Sequence, residues 1–267
     1  PALRLRSPIA AAKCSKNVRP LTGITGNSPL GRSEPRRLPR PPATVSTATI
    51  AMQLFKRGFR NYYLHGIKPL HSGTQTFVAP AFTLRNIPMR EDFGDMAILT
   101  KPEYPQRKAI ETTPPGCCLV SDACSNVTVG LLGDILAERL RVRGVVAVVT
   151  DGAVRDSSEL EEIELPIYCA SRAAPASQSG LYAVELQVPI GCAGVAVLPG
   201  DIMAGDKDGV LVIPRALAKE IADDAPDQER YEQFARQEVS KGRSIIGLYP
   251  ASDESRSDYE KWSKDNS

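Results

Sequence analysis

The run from Cys117 to Ala170 limits the folds open to this chain more than any other part of it. It reads CCLVSDACSNVTVGLLGDILAERLRVRGVVAVVTDGAVRDSSELEEIELPIYCA. CCLVSDA is short and apolar, as a buried strand is. Leu132, Ile135, Leu136, Leu140 and Val142 then fall mainly on one side at a 3.6-residue period, which predicts a helix over 133–143 that stops at Gly144. VVAVV follows as a strand, DG turns the chain, a short acidic helix begins near Ser157, and PIYCA forms a third strand. Strands that alternate with helices in this way pair in parallel, because a parallel pair needs a crossover of about a dozen residues. The fold class is therefore α/β.

The flanking segments extend the pattern. In TVSTATIAMQLFKRG, Ser46 or Thr47 can cap a helix that carries Ile50, Leu54 and Phe55 and ends at Gly58. TQTFVAPAFTLRNIP is β-rich, and its internal Pro80 argues for a bulge or an edge. YPQRKAIETTPPG predicts a short helix ended by two prolines. Downstream, VELQVPIGCAGVAVLPGDIMAGDKDGVLVIP reads as antiparallel strands, with DKDG as a hairpin turn and Asp201 bonding backbone amides. RALAKEIADDAPDQERYEQFARQEVSKG is a helix pair or one helix interrupted at Pro226, and 251–267 is a polar C-terminal tail.

Charge and cysteine content narrow the classes of function. Net charge is +2, yet residues 1–43 hold nine Lys or Arg against the single Glu34, so this segment carries +8 and the remainder −6. Being rich in Pro, Arg and Ser without an apolar period, 1–43 reads as a disordered basic extension, with organelle targeting as the alternative. The domain proper spans 44–250. No stretch reaches the roughly 18 apolar residues of a membrane span, and neither membrane nor nucleic-acid binding is expected. Six cysteines without a CxxC pair and two histidines give no zinc or disulfide framework, and reduced thiols in a cytoplasmic protein are expected. His65 and His71 read as solvated.

Two places offer chemistry. The first-turn amides of the helix at Gly133, those of Gly133, Asp134, Ile135 and Leu136, have no intrahelical partners and sit at the positive end of the helix dipole, where a carboxylate binds readily. Asp134 can equally serve only to cap its own helix. The second place is the carboxyl end of VVAVV, where ligands collect in parallel α/β sheets. There Arg155 is a permanent cation, Asp156 a hard oxygen donor for Mg²⁺, and Glu159, one helical turn on, a holder of the metal's waters. The competing reading is a solvated ion-pair cluster, with Asp151 and Gly152 making only the turn.

The spacing of these pieces resembles a known signature. GDILAERLRVRGVVAVVTDGAVRDSSE is similar to that of the class II pyruvate aldolases, the family of 4-hydroxy-4-methyl-2-oxoglutarate aldolase and of the regulator of ribonuclease activity A: a glycine at a helix start, about twenty residues, Arg-Asp, two residues and an acid. The likeness continues through VAPAFTLRNIP and PGDIMAGDKDGVLVIPR and covers roughly 50–250. It implies a swivelling β/β/α sandwich of the phosphohistidine-domain type, a single domain with a helical C-terminal segment. It implies that the amides of Gly133 to Leu136 hold the carboxylate of pyruvate and that Arg155 binds the carbonyl and developing enolate. Asp134 and Arg155 would orient a water that exchanges a methyl proton, Asp156 would ligate Mg²⁺ or Mn²⁺ directly, and Glu159 would do so through water.

The resemblance thus implies a metal-dependent lyase that cleaves a 4-hydroxy-2-oxo acid to pyruvate, with oxaloacetate decarboxylation through the same enolate. The absence of lysine from 130–160 disfavours a Schiff base there. Homotrimers or homohexamers are expected. Two alternatives stand beside this reading: a non-catalytic regulator that binds a ribonuclease, and a lyase for a 2-oxo acid derived from a sugar acid. Enzymes and regulators share the fold, so the fold alone does not choose.

Overall fold

The computed structural model describes residues 45–266 apart from 72, 74–75 and 94–95. The basic extension expected over 1–43 lies outside the described residues. In chain order the helices are α1 (Thr47–Lys56), α2 (Pro105–Thr112), α3 (Asp134–Val142), α4 (Ser157–Glu162), α5 (Ala218–Ser240) and α6 (Asp253–Asp265). The strands are β1 (Lys68–Pro69), β2 (Phe77–Pro88), β3 (Cys118–Asp122), β4 (Ala147–Thr150), β5 (Ala153–Val154), β6 (Ile167–Cys169) and β7 (Ser171–Arg172). Five more follow: β8 (Leu181–Leu186), β9 (Ile190–Cys192), β10 (Val195–Val197), β11 (Ile202–Asp206) and β12 (Gly209–Ile213).

The expected parallel core is β2, β3, β4 and β6, each paired in parallel with the next. β2 joins this group to an antiparallel one. Its first residues pair with β11, which forms a hairpin with β12 through the DKDG turn, and its later residues take β8 on the side away from β3. The sheet then curls until it nearly closes. Residues 62–64 run along β12, with Leu64 N–H donating to Val210 and Val212 N–H to Tyr62, and the chain continues into β1 against β6. This mixed, nearly closed sheet with helices outside is the β/β/α sandwich that the sequence led us to expect.

Strand periodicity explains the layers. Side chains at alternate positions face opposite sides of a strand. Phe77, Ala79, Ala81, Cys118, Val120, Ala147, Val149, Met203, Val210 and Val212 fill the inside of the curl. Their sequence neighbours face outward onto two helical layers. Phe82, Leu84, Leu119, Val148 and Ile167 pack with residues of α2, α3 and α4, while Val78, Ile202, Ala204, Leu211 and Ile213 pack with α1 and α5. Because both faces are covered, the strands read as continuous apolar runs. Each large side chain buried this way, such as Ile50 or Leu54, contributes roughly 1.5–3 kcal/mol of transfer free energy.

Local signals set most boundaries. Ser46 Oγ caps α1 by accepting from Thr49 N–H at 3.1 Å, while Thr47 Oγ1 donates to Asp206 Oδ1 at 2.8 Å and pins the helix start to the DKDG turn. At the end of α3, Gly144 adopts φ +79. Its N–H donates to Arg141 and that of Val145 donates to Leu140, a paired closure that only a left-handed residue makes cheaply. Asp201 accepts from the amides of Leu198 and Arg215, as expected.

Pro80 lies where the sequence led us to expect, at a gap in the sheet. It pairs with Ile202 at the end of the β11 ladder, and β3 joins only from Ala81, so its missing N–H falls where β2 changes partners. A further irregularity sits between Arg85 and Asn86, opposite β8. Three expectations are corrected. Pro226 does not interrupt α5, which runs unbroken for 23 residues. The segment 251–267 is not simply a polar tail, since Asp253–Asp265 is helical and Tyr259 and Trp262 pack on Tyr231 and Phe234 of α5. Finally, α3 buries Ala137 and Leu140 but leaves Ile135 and Val142 exposed, at 78% and 62%. Those two are seven residues apart and share the face opposite the sheet.

Candidate active site

Three extended segments form a small platform beside the parallel core. Gly130 N–H donates to Pro175, Leu131 N–H to Ala153, Arg155 N–H to Leu132 and Ala173 N–H to Val154. Residues 130–132 therefore lie along β5, which in turn pairs with β7. Two features emerge at the end of this platform: the start of α3 and the pair Arg155–Asp156.

The approach between them is close enough to dictate sequence. A Cβ at Gly130 would lie 2.7 Å from Cβ of Arg155, and one at Gly133 would collide with Asp156 Oδ2. Glycine at 133 thus leaves the carboxylate of Asp156 lying over the first turn of α3. Ala137 N–H makes the first intrahelical bond, to Gly133. The amides of Gly133, Asp134, Ile135 and Leu136 precede it and are free of the helix ladder. Asp134 makes no capping bond, since the cap position belongs to Gly133.

Asp156 has φ 55 and ψ 45, a left-handed conformation that aspartate tolerates better than most side chains. This reversal carries the chain from β5 into α4. Arg155 Nε donates to Asp156 Oδ2 at 3.1 Å, with the two side chains 40% and 33% exposed. An ion pair so exposed contributes little to stability. Its position matters more than its strength, because both groups border an open cleft.

That cleft has a volume of about 390 Å³, ample for a small acid. Gly133, Asp134, Ile135, Leu136, Arg155 and Asp156 line it together. Glu159 does not join them. It is exposed and lines an adjoining depression with Glu138, Arg141, Glu162 and Glu164, and only Asp134 and Ile135 border both. Among the described residues no three His, Cys, Asp or Glu side chains converge into a ligand cage. The donor set still suits a magnesium-like ion. Such an ion keeps several waters and binds through one or two carboxylates plus substrate oxygens, and Asp156 offers a partly exposed carboxylate at the cleft wall.

Part of the lining is one that reading the sequence missed. Gln106 and Arg107 of α2, with Ser177 and Gln178, complete the cleft. Gln106 is buried, and its Nε2 donates to Leu131 O at 2.9 Å and to Ser177 Oγ at 3.4 Å. The only available signal was a polar Gln on the side of α2 that also carries Ala109 and Ile110 inward.

Asp151 does more than turn the chain. It is 3% exposed, and its Oδ1 accepts from Ala123 N–H at 2.6 Å. Its Oδ2 accepts from Ser125 N–H, Ser125 Oγ and Ala193 N–H at 3.0, 3.2 and 3.3 Å. The loop so held includes Cys124 and Ser125 at φ 51 and 56. Nearby, burial raises the Asp122 carboxyl above its ordinary value, opposed by the Cys124 amide that donates to it and reinforced by the charge of Asp151. Cys118 and Cys192 are buried, and burial pushes both thiols well up.

Comparison with known proteins fits this geometry to a family. The RraA-like model, described as Aldolase/RraA, matches residues 43–212. A protein of Halalkalibacterium halodurans, named provisionally as a 4-hydroxy-4-methyl-2-oxoglutarate aldolase, is 31% identical over 185 residues, covering 68% of this chain and 80% of that one. The 4-hydroxy-4-methyl-2-oxoglutarate aldolase of Thermus thermophilus is 36% identical over 108 residues, 40% of this chain and 65% of that protein. Among solved structures, Streptomyces coelicolor RraAS2, described as an unusual member of the RNase ES inhibitor RraA protein family, superposes with a TM-score of 0.67 at 35% identity, covering 78% of this chain and 99% of that one. With Gly133, Arg155 and Asp156 gathered at one cleft of a curled mixed sheet, the chain belongs to the RraA-like aldolase family.

Proposed function

We propose that this protein is a divalent-metal-dependent lyase that cleaves a 4-hydroxy-2-oxo acid of the 4-hydroxy-4-methyl-2-oxoglutarate type to pyruvate, and that it decarboxylates oxaloacetate by the same route. The observation that carries this reading is the meeting of the α3 amides, Arg155 and Asp156 at one cleft, with glycine at 133 making room for the carboxylate. The amides of Gly133 to Leu136 bind the substrate's 1-carboxylate. Arg155 donates to the 2-oxo oxygen and stabilises the negative charge that develops there as the bond between C3 and C4 breaks. The bond's electrons pass into the enolate while the C4 hydroxyl gives its proton to a water in the cleft, and C4 becomes the carbonyl carbon of the second product. Asp134 and Arg155 orient the water that returns a proton to C3, which completes pyruvate.

Asp156 would hold Mg²⁺ or Mn²⁺ directly, with Glu159 acting through water from the adjoining depression. Bound there, the ion supplies Lewis-acid polarisation of the 2-oxo group. A trimer or hexamer would cover the exposed stripe of Ile135 and Val142 beside the cleft.

Pyruvate release from oxaloacetate and from 4-hydroxy-4-methyl-2-oxoglutarate tests the reading, measured with Mg²⁺, with EDTA and with Asp156→Ala. Turnover should need both the metal and the aspartate. Indifference to both sinks the proposal. The likeness to RraAS2 favours a second reading, a regulator that binds a ribonuclease; such binding would persist in EDTA and in the Asp156 variant.

A further inference from the structure

We infer that Arg107 is the specificity residue of the cleft and binds the second, distal carboxylate of a dicarboxylic 2-oxo acid; this rests on the lyase reading for the placement of the first. Arg107 lies on α2 and lines the same cleft as the α3 amides and Arg155. Its Nε donates to Leu99 O at 3.1 Å, which fixes the plane of the guanidinium and leaves the terminal N–H donors uncommitted. Among the described residues no carboxylate lies within ion-pair distance of it. Arg139 and Arg141, on the neighbouring helix, contrast with this: they hold Glu111 and Glu138 at 2.8 and 2.7 Å.

The preceding residue makes this a fixed position. Gln106 ties α2 to Leu131 O and Ser177 Oγ, so the helix that carries Arg107 is bonded to the segment that leads into Gly133. The two arginines that line the cleft therefore stand on different, mutually anchored elements, and Arg155 already has a carboxylate neighbour in Asp156. A monocarboxylic 2-oxo acid seated on the α3 amides would leave Arg107 half-buried without a counter-charge from the described residues. A diacid would meet both elements, and a planar guanidinium is the side chain best suited to grip a carboxylate through two N–H bonds.

Calorimetric binding in Mg²⁺ of 2-oxoglutarate, a diacid without the cleavable hydroxyl, against 2-oxobutanoate, its monocarboxylic counterpart, tests the assignment. Wild-type protein should prefer the diacid. Arg107→Gln should shrink that preference by roughly 10- to 100-fold, and Arg107→Lys, which keeps the charge but not the fork, should fall between. In turnover of oxaloacetate the Gln variant should raise KM far more than it lowers kcat. The assignment is overturned if wild type shows no preference for the diacid, or if Arg107→Gln weakens both acids equally. Loss of the lyase reading looks different. Wild type that releases no pyruvate yet keeps an Arg107-dependent preference for the diacid would sink the proposed reaction and leave this assignment standing.

Discussion

Asp151 and Asp156 stand at the two ends of one short stretch, and their surroundings differ in every respect that matters. Asp151 is closed off from water, and both its oxygens are occupied by N–H and O–H donors from residues 123, 125 and 193. Asp156 is a third exposed, pairs with Arg155 and borders a cleft. The first carboxylate holds loops together, and the second is available to a ligand. Residue type does not separate a structural acid from a chemical one; the number of donors already committed to it does.

The sharpest way to break this comparison is to give both positions the same change. Asp156→Asn should lower pyruvate release by about 10³-fold while moving the thermal midpoint by no more than about 2 °C. Asp151→Asn should do the reverse. Its amide group would press N–H against N–H, costing about 3 kcal/mol in a urea titration, with turnover per folded molecule retained. A large stability loss at 156, or none at 151, would remove the distinction.

Gly133→Ala probes how closely the chemical carboxylate is placed. The added methyl displaces Asp156 Oδ2, so pyruvate release should fall roughly 10²-fold, and the loss should nearly vanish when Asp156 is already alanine. Independent, additive losses would show that Gly133 acts elsewhere.

Asp122, beside the structural carboxylate, gives the smallest effect and sharpens the comparison through pH. Its folded value is raised, chiefly by burial. The folded state therefore holds this proton more tightly than the unfolded chain, and the stability so contributed is present in acid and lost as pH rises through the folded value. Asp122→Asn should gain stability over wild type as pH rises from the ordinary carboxylate range through the folded value. A pH-independent difference in urea midpoints would contradict the assignment.

What could be read in the sequence follows the range of the forces involved. The end of α3 was legible because Gly144 acts on carbonyls three to five residues back. The inward and outward faces of the parallel strands were legible because period and hydrophobicity are local. Asp151 was underestimated because its partners are 26 to 42 residues away. Gln106 and Arg107 were missed for the same reason: α2 is tied to the cleft by contacts distant in sequence, among them those of Gln106 to residues 131 and 177. Pro80 was legible because a residue without an N–H is tolerated in a strand only where the ladder leaves a gap. The helical packing of 253–265 did leave a trace in Tyr259 and Trp262, three residues apart on one face, which the surrounding charges outweighed.

The bond from Ala193 to Asp151 also sets an order of events during synthesis. A nascent chain that has emerged only as far as Glu159 already contains every residue of the aldolase signature, but not the strand of β11 that flanks β2, nor the Ala193 amide that helps close the knot. Domains fold as units while the ribosome delivers residues in sequence. The cleft is thus written early in translation and assembled late, so a ribosome stalled before residue 206 would carry the side chains of the proposed site without the frame that brings them together.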